Sequence, residues 1–503
     1  MDAPYHGAMN PTPPIELQPT RVRYGVLAFC CILSMITYLD RVCFGTVASN
    51  IQTEFGLTDT QKGWLFTAFA FAYAVFEVPT GWLGDRFGAR MTLIRIVLWW
   101  STFTVLTGLI HPTPGSMLGF WLLFSVRFLF GIGEAGAYPN IARAFHNWFP
   151  YQERGSAKGA VWMSGRFAGG ITAFLVYALM FETTSGDGES IIHWRHIFFI
   201  FGGLGVVWCV LWWWWYRDDP AQKSGVNAAE VALIQQGESR HGEKLVVPWG
   251  KLLRSANLWI LCLMYFCASY GWYINITYFP GYLKELGIER GPVKWTAQFW
   301  IAGLLAGLPL LVGSVSCLIG GLLTDGFIRR TGNRKWGRRV FGILGHGLCA
   351  ASYFTAIFFL QSPYMFVFLI AFAAFWNDLT MGSSWASCLD IGKRYSGIVA
   401  GCMNTVGNLG GAVAGVLTGV ILDLHTSGIA AGAAQDEARH AGWVMNIFLF
   451  GAAYVIAAGC WLFFDATKPV VPDAPTPSPP ETPPLAHAKA EEHVRADIRG
   501  VRR

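Results

Sequence analysis

The chain is dominated by a succession of apolar stretches, each about the length that a helix needs to cross a bilayer core, roughly 20 residues. Such stretches lie near 24–48, 63–83, 92–110, 118–142, 155–181 and 197–215. A polar segment follows at 217–254, and six more stretches lie near 257–282, 299–323, 341–360, 364–384, 396–424 and 444–464. The reading is an all-α integral membrane protein with twelve transmembrane helices in two six-helix halves. Charge content agrees. Only 14% of the 503 residues are charged, against about 25% in an average soluble chain. So few charges cannot cover a water-facing surface of this size.

The expected organisation is an N-terminal tail at 1–22, a first half at 23–216, a linker at 217–254, a second half at 255–466 and a tail at 467–503. The last tail is Pro-rich and charged, a composition that predicts disorder. No cleavable leader is expected, because the first twenty residues are polar and the apolar stretch after Arg21 and Arg23 is long enough to span. Lys and Arg gather on one side of the predicted spans, among them Arg86, Arg90, Arg143, Arg154, Arg217, Arg329, Arg330, Arg338 and Arg339. The other side carries fewer cations, Lys62, Lys284, Arg290, Lys294 and Arg439, and the acids Glu182, Asp187, Glu189, Asp436 and Glu437. The positive-inside rule therefore puts both termini and the linker in the cytoplasm, in a multi-pass cell-membrane protein. The run Trp212 to Tyr216 before Arg217 reads as an interfacial aromatic collar, with an aromatic core cluster as the alternative.

Internal repetition supports two related halves. Gly81 and Asp85 recur as Gly321 and Asp325, and Gly155, Gly159, Gly165 and Gly169 recur at one offset as Gly397, Gly401, Gly407 and Gly411. Small residues four apart let helix backbones approach closely. Two six-helix halves are what a rocking transporter requires, with substrate held between them near the midplane.

Ionisable groups deep in a membrane are costly and mark function by default. Asp40 and Arg41 lie well inside the first stretch, and Arg127 and Glu134 lie on the fourth, seven residues apart. Glu77 and Arg166 are further candidates. Two guanidiniums suit an anionic substrate, since the planar fork binds a carboxylate bidentately. Carboxyl groups beside them suit proton coupling, because burial and a neighbouring Arg move a carboxyl pKa in opposite directions. The alternative is that these are structural charge pairs that fix helix packing. A second cation at Arg166 would suit a dicarboxylate, and inter-helix bonding is an equal possibility there.

The motifs Tyr38-Leu-Asp40-Arg41, Gly81-Trp-Leu-Gly-Asp85-Arg86-Phe-Gly88-Ala-Arg90 and Arg127-Phe-Leu-Phe-Gly131-Ile-Gly133-Glu134 resemble those of the major facilitator superfamily, and within it the anion:cation symporter family. Trp148-Phe149-Pro150, Trp194-Arg195-His196 and Met403-Asn404-Thr405 resemble it as well. The resemblance covers nearly the whole chain except the tails. It implies substrate contacts from Arg41, Arg127, Tyr38 and Tyr73, faced by Trp385 and Asn404. It implies proton-linked acids at Asp40 and Glu134, and gating by Asp85, Arg86, Arg90 and Asp325. The second gating copy departs from the first, since Asp325 is followed by Gly326-Phe327-Ile328.

The function expected is proton-coupled symport of a small organic anion, a sugar acid or related carboxylate, by alternating access. An anion exchanger or a non-transporting sensor of the same fold is the alternative. Partners are the anion, protons and the lipid bilayer, with no nucleic acid, and a monomer is the family's default. No catalytic residue, metal site or cofactor is expected: the eleven Cys show no metal spacing, and no phosphate-binding loop is present.

Overall fold

A computed structural model describes residues 18–111, 113–150, 153–184, 190–235, 247–288 and 296–471. Most of both predicted tails, 11 residues of the linker, and Asp187, Glu189, Arg290 and Lys294 lie outside the described residues. The main helices are α1 (Arg23–Phe55), α2 (Asp59–Phe87), α3 (Ala89–Leu109), α4 (Met117–Trp148), α5 (Arg154–Leu179), α6 (Arg195–Trp215), α7 (Ala256–Ile276), α8 (Ala297–Thr331), α9 (Arg334–Ile357), α10 (Pro363–Gly392), α11 (Ser396–Thr426) and α12 (Ala433–Phe463). Ten of them are long and apolar enough to cross a membrane. The two that fall short are α2 and α5, which are long enough, at 29 and 26 residues, but contain no stretch that is apolar enough.

Their packing repeats. Helix α1 packs on α5 and α6, α2 on α4, and α3 on α4 and α6. Adding six to each label gives the other contacts: α7 on α11 and α12, α8 on α10, α9 on α10 and α12. The sets α1–α6 and α7–α12 meet chiefly where α2 packs on α11 and α5 on α8, a pairing that maps onto itself under the same shift. The glycine quartets behave alike in both sets. Gly155, Gly159, Gly397 and Gly401 face open space, whereas Gly165 and Gly169 receive the Tyr38 ring of α1. At the equivalent positions, Gly407 receives Tyr265 of α7, and Gly411 receives Tyr273.

Two helices break in the middle. The first segment of α4 ends at Glu134 and the second starts at Ala137. Pro139 accounts for this, since it has no N–H to donate back to the preceding turn. The first segment of α10 ends at Leu379 and the second starts at Met381. Helix α7 passes through a 3-10 turn at Tyr273–Ile276 and continues as Phe279–Glu285, with Pro280 in its first turn.

One element departs from the all-helical expectation. Between α5 and α6 the strands β1 (Phe181–Thr184) and β2 (Ser190–His193) form an antiparallel hairpin, with Phe181 opposite His193. Thr and Ile, which favour extended backbone, predominate in these eight residues.

Many large apolar side chains point outward, including Phe358, Leu322 and Leu118, as expected where the surroundings are hydrocarbon. The aromatic run at the end of α6 divides by helix face. Trp212 and Tyr216 are buried and stacked with centroids 3.8 Å apart, while Trp213 and Trp214 are exposed. The core cluster is therefore present, and two tryptophans of the run face outward beside it. The linker is tied to α1: Glu230, in the short helix Ala228–Gln235, accepts the backbone N–H of Arg23 at 3.2 Å and its guanidinium at 3.1 Å. After α12, Asp465 pairs with Lys335 at 2.9 Å and accepts from Thr467. Burial opposes its ionisation, but Thr467 and Lys335 win and hold its carboxyl down to about 2.

Candidate functional site

A central cavity of about 60 Å³ lies where the two sets face each other. From the first set it is lined by Tyr38, Arg41, Tyr73, Trp162 and Arg166; from the second, by residues of α7, α9, α10 and α11 that include Tyr273, His346, Asn377, Asn404 and Asn408. The basic groups and neutral hydrogen-bonding groups converge here. That is the composition of a site for a polar anion.

Arg41 is held on three sides. Its Nε donates to Glu134 Oε2 at 2.9 Å, and its guanidinium carbon lies 4.7 Å from the Tyr73 ring centroid and 5.6 Å from that of Tyr38. Both members of the pair are buried. Nη2 of Arg41 and Oε1 of Glu134 have no hydrogen-bond partner among the described residues. A cation fixed in place with a spare donor is positioned to meet an anion.

The structure does not bring Arg127 or Asp40 to this cavity. Successive side chains on a helix point about 100° apart, so once Arg41 faces the cavity its neighbour Asp40 turns into the first set. The Asp40 carboxylate is buried there beside Arg127, Glu134 and the Trp100 indole. Arg127 lies over the Phe44 ring at 4.1 Å and the Phe130 ring at 4.8 Å. Its charge lies near both acids, within the first set. Trp385 is also absent from the lining. It stands next to it, 5.5 Å from the Trp162 ring and 6.2 Å from that of Tyr265.

Two polar links cross between the sets at the cavity. Asn404 of α11 donates to both carboxylate oxygens of Glu77 on α2. Arg166 of α5 donates to Asp378 of α10 at 2.5 Å, with side chains 5% and 0% exposed. Arg166 also lies 4.8 Å from the Trp272 ring. Asp378 was not among the residues singled out from the sequence, although it is the one residue of the stretch 364–384 that is charged at neutral pH in water. His346, likewise unforeseen, accepts from Trp461 at Nδ1, which puts its proton on Nε2, 3.2 Å from the Thr380 hydroxyl.

The residues expected to gate lie away from the cavity, near the face that carries residues 18–23 and the linker. Asp85 is exposed and 3.8 Å from Arg143. Arg86 lies over the rings of Trp82 and Phe87. Arg90 donates its backbone N–H to Asp218 and its guanidinium to the Trp213 carbonyl. Asp218 thus caps α3, and Gly88, at φ +81°, gives it room. Asp325 approaches Arg338 at 3.7 Å, and Arg338 bonds Asp390 at 2.9 Å. None of these contacts joins one set to the other.

On the opposite face the sets are locked together. The Asp423 carboxylate of α11 accepts the first two N–H groups of α2, from Asp59 at 3.1 Å and Thr60 at 2.7 Å. Arg439 of α12 bridges Asp59 at 2.7 Å and Glu285 at 2.6 Å. Glycines permit the approach: a Cβ on Gly419 would collide with the Asp59 carbonyl, and one on Gly63 with the Gly415 carbonyl.

Comparison with known proteins places this geometry. Residues 30–415 match the sequence model of the Major Facilitator Superfamily. The chain is 35% identical over 410 residues to a probable sulfoacetate transporter of Cupriavidus necator, covering 81% of this chain and 89% of that protein. It is 30% identical over 416 residues to a probable galactarate/D-glucarate transporter of Escherichia coli, covering 80% and 88%. A bacterial homologue of the human lysosomal transporter Spinster, solved inward-facing and unoccupied, shares the fold with a TM-score of 0.68 at 20% identity, over 89% of this chain and 99% of that one. Family model, relatives and fold agree, and the chain belongs to the Major Facilitator Superfamily, as a membrane transporter and not an enzyme.

Proposed function

We propose that this protein carries a small organic anion, a sugar acid or related carboxylate or sulfonate, together with protons, by alternating access. The observation that carries the reading is the Arg41–Glu134 pair: a buried cation in the central cavity, neutralised from behind by a carboxyl group. An arriving anion competes with Glu134 for the guanidinium. A carboxylate displaced inside a low-dielectric site takes up a proton more readily than it stays charged. Loading the anion and loading the proton therefore favour each other. The names of the two bacterial relatives supply the substrate class.

In this reading all twelve helices span. Helices α2 and α5 are less apolar because they line the cavity and carry Glu77 and Arg166. The halves are 23–216 and 255–466, joined by the linker 217–254, and they rock about the central site. The Arg-rich face with the termini is cytoplasmic, the membrane is the cell membrane, and the unit is a monomer. The lock at Asp423 and Arg439 then closes the non-cytoplasmic side.

The test is uptake of labelled sulfoacetate, D-glucarate and D-galactonate into proteoliposomes under an imposed pH gradient. Accumulation driven by external acid and lost in Arg41→Ala is expected. Uptake indifferent to the gradient and surviving Arg41→Ala overturns the proposal. Glu134→Gln is expected to keep substrate exchange and lose accumulation; unchanged accumulation removes Glu134 from coupling.

A further inference from the structure

In each helix set the fourth helix breaks beside an acid, and each acid holds an arginine. Helix α4 breaks after Glu134, whose partner is Arg41 at 2.9 Å; α10 breaks one residue beyond Asp378, whose partner is Arg166 at 2.5 Å. All four side chains are buried, at 7% exposure or less. The arginines line the cavity while the acids sit behind them. Each arginine also keeps one nitrogen, Nη2 of Arg41 and Nε of Arg166, without a partner among the described residues. The cavity therefore presents two cations of matching construction. The same lining carries neutral hydroxyl and amide groups such as Tyr73, Asn404 and Asn408.

Resting on the anion-transport reading above, we propose that the transported species is a dianion, a short polar molecule with an acid group at each end. Arg41 binds one end and Arg166 the other, and Asp378 occupies the second position when the cavity is empty. Unlike the Arg41–Glu134 pair, the Arg166–Asp378 pair joins the two sets, α5 to α10. Arrival of the second acid group takes Arg166 from Asp378 and undoes that tie. A monoanion satisfies Arg41 alone and leaves the tie in place.

Asp378 is then a carboxylate without a counter-charge. The groups that face it are Arg166 from α5, Asn377 from α10, Cys317 from α8, Cys349 from α9, Tyr454 from α12, Tyr38 from α1 and Tyr265 from α7. Arg166 is the one cation among them. Once it turns to the substrate, Asp378 takes a proton from water onto a carboxylate oxygen, since an unpaired buried charge is the costlier state. Each acid group of the substrate thus brings in one proton, one at Glu134 and one at Asp378, and the loaded site keeps the net charge of the empty one.

The test uses the purified full-length protein and two matched probe pairs, D-glucarate with D-gluconate and sulfoacetate with acetate, with binding measured by calorimetry. The wild type is expected to bind the dianion of a pair at least about tenfold more tightly than the monoanion, and Arg166→Gln to reduce that ratio by roughly tenfold. A wild-type ratio near one, a ratio unchanged in Arg166→Gln, or a wild type that binds neither dianion overturns the proposal. Should Arg166→Gln fail to fold, Asp378→Asn decides: it removes the competing charge, so tighter dianion binding with a weaker pH dependence is expected, and unchanged or weaker binding overturns. Arg41→Gln separates the two readings. If it leaves binding of every probe intact, the anion-transport reading falls. If it abolishes binding while Arg166→Gln leaves the ratio unchanged, only the dianion falls.

Discussion

Asn404 of α11 donates its side-chain amide to both carboxylate oxygens of Glu77 on α2, at 2.7 and 2.8 Å, so one amide spans the boundary between the two helix sets. Replacing it with a second carboxylate sets like charges against each other in a buried place. Asn404→Asp is expected to lower the thermal midpoint at pH 8 and to recover at pH 5, where one proton can be shared. The cost is on the order of 1–3 kcal/mol, that of a buried polar group left without its partner. Thermal unfolding in detergent at the two pH values checks this, and a midpoint as high as wild type at pH 8 counts against it.

Arg127 and Arg41 should separate in their effects. Arg41 lines the cavity, whereas Arg127 is enclosed by Phe44, Phe69 and Phe130. Arg41→Lys loses the Nε bond to Glu134, the planar guanidinium offered to the substrate and its contact with the Tyr73 ring. It is expected to weaken substrate binding by about tenfold or more. Arg127→Lys is expected to slow transport and shift its pH profile while changing affinity less than about threefold. Binding and initial-rate measurements on both variants check the contrast. Equal losses of affinity would return Arg127 to direct contact.

The lock on the opposite face should be removable. Asp423→Asn combined with Arg439→Gln takes away the charge at the start of α2 and the bridge between Asp59 and Glu285. Spin labels at Thr53 and Ser427, both exposed on this face, are expected to move apart in the double variant. A distance distribution identical to wild type would show that the glycine contacts alone keep this face shut.

The glycine quartets give a paired stability test. Gly159 faces open space, and Gly159→Ala is expected to be neutral or stabilising by up to about 1 kcal/mol from helix propensity. At Gly165 a side chain would meet Ser34 and the Tyr38 ring. Gly165→Val is therefore expected to cost roughly 1–3 kcal/mol through overpacking. Thermal unfolding of the two variants side by side checks the difference, as does the same pair at Gly401 and Gly407.

Most of the architecture was legible because it is written in the lengths of apolar runs, which need no knowledge of what packs on what. The cavity residues Tyr38, Arg41 and Asn404 stood out in resembling motifs, and Tyr73 followed from the same resemblance. What could not be read was direction. A helix that is apolar all round carries no stripe to show which side faces the core, so nothing in the sequence told Arg41 from Arg127, or Asp40 from Glu134. Asp378 was missed for a related reason. Its meaning comes from Arg166, and no local pattern links two residues that distant in the chain. The breaks in α4 and α10 differ in the same way. The first has a proline to announce it, whereas no proline lies at Thr380.

The Arg166–Asp378 pair has a consequence for how the protein is made. Its two members are separated by 212 positions, so the ribosome completes α5 long before the matching acid exists. Until α10 emerges, a guanidinium without its counter-ion must wait at the aqueous edge of the translocation machinery or be shielded by α1. The less greasy helix is therefore expected to settle late relative to its synthesis, and the first six helices should remain loosely assembled until the last six arrive.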